Sequence, residues 1–132
     1  MTKLENLLLL LFIKFISVIF ATEIFNKFSP LIDSNLYLKN NFINAGELRT
    51  LIVQYIVVIL KFFNFNNFFI HYTFSLISSI GYVYCIFKIS SEKKILLFLC
   101  CFPSVVVWTS IIGKESVFFG FFTLIIMLSI NF

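Results

Sequence analysis

Lys114 and Glu115 form an isolated pair of charges. No side chain from Ile95 to Gly113 is charged, and none from Ser116 to Phe132, so the pair stands between two apolar runs, just after Trp108, Thr109 and Ser110. A lysine there supplies positive charge for a phosphate, and Trp108 offers a flat face for a sugar ring. Asp33 is the only acid in its polar stretch before Glu47, and Tyr37 lies close to it in the sequence. Lys14 interrupts the first apolar run eleven residues after Lys3, roughly 16 Å away at 1.5 Å per helical residue. A charge at that depth in a bilayer costs at least ~2.5 kcal/mol, so it must face protein, water or a lipid phosphate. Lys14 therefore reads either as a cation that meets an anionic lipid-linked substrate, or as a lysine that snorkels or pairs with another helix.

The elements that carry these residues read as membrane helices. The chain is 61% hydrophobic and 12% charged, with a mean hydropathy of +1.05, whereas soluble domains average about 25% charged residues. So short a chain cannot hide that much apolar surface in a core of its own. The expected architecture is all-α, a polytopic transmembrane bundle forming a single domain over residues 1–132. The first span runs from about Leu4 to Phe25, long enough for a core that takes ~20 helical residues. Residues 26–47 then form a polar loop, rich in Asn and broken by Pro30 and Gly46, with Tyr37 and Phe42 placed to sit at the headgroup level.

Leu48 to Phe63 is ambiguous. Glu47, Thr50, Gln54 and Lys61 share one helical face while apolar residues cover the rest, as in an interfacial or re-entrant helix and equally as in a short span with a polar stripe turned to the bundle. After a polar turn at Asn64–Asn67, a span runs from Phe68 to Phe87, with Ser75, Ser78, Ser79 and Gly81 favouring close helix packing. His71 near its start reads as an interfacial or hydrogen-bonded residue before a catalyst. A cationic loop, Lys88 to Lys94, leads into a span from Ile95 to about Ile111, in which Pro103 predicts a kink. The last span is Ser116 to Phe132. Glu115 falls in the tight link before that span or in its first turn, where the positive end of the helix dipole favours an acid.

Four spans plus one interfacial or re-entrant helix put the N-terminus and the Lys88 loop inside and the Asp33 loop outside. Five spans reverse the Asp33 loop and satisfy the positive-inside bias better.

The ten lysines and arginines against six acids give a net charge of +4, but they punctuate the ends of apolar runs instead of forming a basic face, which excludes nucleic acid as a partner. Cys85, Cys100 and Cys101 lie in or beside apolar runs and read as packing residues. There is no nucleophile triad, Gly-rich phosphate loop or metal-ligand set, so no cofactor and no metal are implied. In the plainest reading, Trp108 is a membrane anchor and Lys114 with Glu115 caps a hairpin between spans.

Two stretches, Asp33-Ser-Asn-Leu-Tyr37 and the pattern Pro-Ser-x3-Trp-x-Ser-x3-Lys-Glu from Pro103 to Glu115, add a further reading. With the spans around them they resemble the N-terminal part of multispanning GT-C-type membrane glycosyltransferases and of the related oligosaccharide repeat-unit polymerases, over about Ile24 to Glu115. The resemblance implies an enzyme of cell-envelope polysaccharide assembly in the bacterial inner membrane, acting on polyprenyl-phosphate-linked sugars. It implies an extracytoplasmic 26–47 loop in which Asp33 is the base toward an acceptor hydroxyl, with Lys114, Trp108, Lys14 and Tyr37 as substrate contacts. Such proteins have about twice as many spans or more, so the chain is expected to be the N-terminal part of a larger fold, completed by further helices or a partner subunit. The competing expectation is a small non-catalytic membrane protein that associates with a partner through the Ser75–Gly81 face and the Lys14 helix.

Overall fold

The computed structural model describes residues 3–28, 32–39, 48–88 and 103–130, and these are helical throughout apart from turns, with no strand among them. Helix α1 runs Lys3–Phe28. Its leucine-rich first part is regular, but a π-helical stretch occupies Phe20–Phe25, where the Asn26 N–H reaches back to the Ala21 carbonyl. Such single-turn π-bulges widen an α-helix locally. Ser17 and Thr22 spend their hydroxyls on the carbonyls four residues earlier.

The stretch expected as a loop is partly ordered, since α1 continues to Phe28 and a short helix, α2, spans Ile32–Leu38. Residues 29–31 and 40–47 lie outside the described residues. Helix α3, Leu48–Phe62, is 15 residues long, about 22 Å. The polar turn after it is as expected: Asn64 takes a positive φ of 58°, which asparagine tolerates better than most residues, and the Asn66 side chain caps helix α4 by accepting from Phe69 N–H at 2.9 Å.

The span expected from Phe68 to Phe87 is broken in the structure. It is two helices, α4 Asn67–Ile77 and α5 Ile80–Lys88, bent by 48° at the break. The cause is local competition for a carbonyl. Both Ser78 Oγ, at 2.7 Å, and Ser79 Oγ, at 2.8 Å, donate to the Ser75 carbonyl, and hydroxyl back-bonding of this kind bends helices. Residues 89–102 lie outside the described residues, including most of the span expected from Ile95 and Cys100 and Cys101. Helix α6 is Pro103–Thr109. It stops short of the expected end at Ile111, because Ser110–Gly113 leaves the helix and carries Ile111 and Ile112 into buried positions. Helix α7 then runs Lys114–Ile130 with Glu115 in its first turn, which settles that alternative in favour of the helix start.

Helix α1 lies antiparallel to α4 and α5. Phe15 meets Phe68 edge-to-face at 5.5 Å, Leu10 packs with Tyr82 and Ile86, and Lys3 Nζ donates to the Phe87 carbonyl at 2.9 Å. Helix α7 runs parallel to the bent pair and almost touches its backbone. A Cβ on Gly120 would fall 2.2 Å from the Ile77 carbonyl oxygen, and one on Gly81 would fall 2.3 Å from Thr123 Oγ1. The bundle thus has two ends. Lys3 and Lys88 mark one. At the other, Phe25 and Ala21 pack with Ile111, and Tyr37 and Leu38 of α2 pack on the cluster that holds Ile112 and Val117.

The interior mixes apolar side chains with polar ones, and large apolar side chains cover much of the outside. Lys14 is the largest fully buried side chain, 1% exposed, while Phe12 two residues earlier is 62% exposed. Along α1 the buried stripe is Asn6, Leu10, Lys14, Ser17, Val18 and Ala21, and leucine and phenylalanine cover the outside. Helix α3 repeats the pattern: Gln54 is buried between Val53 and Val57, while Ile52, Tyr55, Ile59 and Phe62 are exposed.

Candidate functional site

The polar residues that α1, the α4–α5 bend and the end of α6 turn inward meet at Lys14. Its ammonium donates to Thr109 Oγ1 at 2.9 Å and to Ser78 Oγ at 3.3 Å. Both hydroxyls are held with their lone pairs toward the lysine, because their protons are committed elsewhere. Thr109 donates to the Val105 carbonyl, and the single proton of Ser78 is shared between the carbonyls of Ser75 and Thr109, both within reach. Hydrogen bonds with one charged partner are roughly twice as strong as neutral ones, so this node ties three separate segments of the chain together. Lys14 is 1% exposed, and its ammonium is turned toward side chains of other segments of the same chain.

The first half of α4 and the segment after α6 are joined once more, where Ile112 N–H donates to Nδ1 of the buried His71 at 3.2 Å. His71 is thus a buried, hydrogen-bonded residue of the bundle. Ser116 donates to the Gly113 carbonyl at 2.8 Å and tightens the start of α7. Among the described residues no group of three or more His, Cys, Asp or Glu side chains could hold a metal ion.

The outward face of the same region is an open groove of about 220 Å³ between α6 and α7, lined by Val105, Trp108, Thr109, Glu115 and Phe119. Trp108 is 53% exposed and forms one wall, the exposed Glu115 lies on the opposite helix, and Thr109 joins the groove to Lys14 behind it. Glu115 folds back over the link, so that a Cβ on Gly113 would lie 2.8 Å from its Oε2.

The expected site residues therefore divide. Trp108 lines the groove. Lys114 is half-buried beside it at the first residue of α7 and does not line it. Lys14 sits behind its Thr109 wall. Tyr37 is half-buried and packs on the apolar cluster of α3, α4 and α7. Asp33 belongs to α2, and its side chain lies outside the described residues. The face from Ser75 to Gly81 and the Lys14 side of α1 are covered by α6 and α7 of the same chain, while the outer side of the Lys14 helix is exposed. Glu115, Thr109, Ser78 and His71 were not among the expected site residues. The signal for His71 and Ser78 was their spacing with Ser75, which puts three polar side chains on one face of an apolar helix.

Compared with protein families, with curated proteins and with solved structures, the chain finds no match in any of the three.

Proposed function

We propose that the chain is a membrane-embedded helical bundle whose α6–α7 groove takes the saccharide of a polyprenyl-phosphate-linked sugar, as the N-terminal part of a GT-C-type glycosyltransferase or repeat-unit polymerase. The membrane reading rests on one observation above all: the largest fully buried side chain is a lysine, while phenylalanine, leucine and isoleucine cover the outside. Hydrocarbon is the solvent that favours this arrangement, since a buried charge with polar partners and an apolar exterior both lower the energy there. Helix α1 is long and apolar enough to cross a bilayer, and the α4–α5 pair passes the same test when its two halves are taken together. In this reading the segment ending in α6 and helix α7 complete four spans. Helix α3, too short to cross and apolar on its outer face, is re-entrant.

The groove supports the saccharide reading because it sets an exposed indole opposite a carboxylate. A sugar ring can stack its apolar face on an aromatic ring and donate its hydroxyls to a carboxylate. Helix α2, which carries Asp33 and Tyr37, packs at the same end of the bundle as Lys114, as the resemblance requires of a base and a phosphate contact. Trp108 is the only tryptophan in the chain and reports directly on the groove. In lipid nanodiscs, a polyprenyl-phosphate-linked saccharide is expected to change Trp108 emission saturably, and polyprenyl phosphate without sugar to leave it unchanged. Equal responses to both lipids would remove the saccharide reading.

The node favours a second reading, a non-catalytic membrane protein that associates with a partner through its helices. The side chains around Lys14 bond mainly to one another, as in a scaffold, and the outer face of α7, with Phe118, Phe121 and Ile125, is exposed. A chain that folds normally and gives no Trp108 response to either lipid would leave this reading standing.

A further inference from the structure

We propose that Ser75 and Ser110 hold one ordered water molecule between them, in a buried site next to the Lys14 node. The site is framed by two cross-links between α4 and the segment leaving α6. At one end Ser78 Oγ donates to the Thr109 carbonyl at 2.9 Å. At the other, Ile112 N–H donates to His71 Nδ1 at 3.2 Å. His71, Ser75 and Ser78 follow one another at four and three residues and so share a helix face. The facing segment runs the opposite way, from Thr109 to Ile112, which sets Ser110 against the Ser75 position between the two links.

Both serines are 0% exposed, and both hydroxyl oxygens lack a hydrogen-bond partner. Most serines nearby behave otherwise, since Ser78, Ser79 and Ser116 each donate to a backbone carbonyl. A buried hydroxyl without a partner carries its full desolvation cost, and the usual remedy in protein interiors is a bound water with two to four polar neighbours. Two serine hydroxyls offer such a guest two donors and several lone pairs. They are neutral, which suits water and gives an ion no balancing charge of its own. The inference does not depend on what the groove binds.

The test is thermal unfolding of the whole chain in detergent, followed by Trp108 emission, for Ser75→Ala, Ser110→Ala and the double variant. With a shared water each single change lowers the melting temperature by a few degrees, and the double lowers it no further than the worse single. A single change that raises the melting temperature would mean bare, unpaired hydroxyls and would overturn the proposal, as would additive losses in the double. A melting temperature of the parent protein that rises with iodide, and of the double variant that does not, would replace water by an anion. On the unaltered protein, solid-state NMR transfer from water is expected to reach Ser75 and Ser110 before Ser79, whose hydroxyl is bonded to the Ser75 carbonyl. Absence of transfer at both serines would also overturn it.

Discussion

Lys14 holds Thr109 and Ser78 in place, and the strength of that hold can be measured at Thr109. Thr109→Val keeps the shape of the side chain and removes the oxygen 2.9 Å from the ammonium. Leaving a buried charge short of one acceptor costs on the order of 1–3 kcal/mol, to be read as lost stability in denaturant or heat. A valine variant as stable as the parent would show that Lys14 finds its support elsewhere. The sequence made Lys14 conspicuous, because a charge inside an apolar run demands a partner. It did not disclose the partners. Ser78 and Thr109 are 64 and 95 residues away, and hydroxyls in apolar runs are common enough that only the folded arrangement distinguishes those two. Glu115 was legible as a helix-start acid but not as a groove residue, since the groove exists only once α6 and α7 lie side by side.

At the scale of the elements, close approach of α7 to the α4–α5 pair organises the bundle, and two glycines permit it. Gly120→Ala would drive a methyl group into the Ile77 carbonyl at 2.2 Å. Backbone cannot yield as a side chain can, so a loss of about 2–3 kcal/mol is expected. Gly113→Ala meets only the flexible end of Glu115 and should cost less. Comparable losses for the two variants, measured by thermal unfolding, would show that α7 does not pack as closely as described. The long apolar runs announced most of these helices, and Asn66 announced the start of α4. The bend at Ser78 and Ser79 was not announced, because the same serines also fit a straight helix with small residues at an interface. The early end of α6 was equally hidden, since Ile111 and Ile112 continue the apolar run without a break in composition.

The whole molecule has two ends and an apolar waist. Helix pairing puts Lys3 and Lys88 at one end and α2, Ile111 and the start of α7 at the other. The helical class and the apolar exterior follow from composition alone. The polar centre follows only from folding, because its residues come from three separate segments of the chain.

The central claim, that this bundle crosses a bilayer with α2 and Lys88 on opposite sides, is tested most directly by cysteine accessibility. Single cysteines at Asn35 and at Lys88, both exposed, are placed in an otherwise cysteine-free chain and treated in intact cells with an impermeant thiol reagent. The predicted result is labelling at one position only, with the other labelled after permeabilisation. Labelling of both positions from the same side would contradict the account.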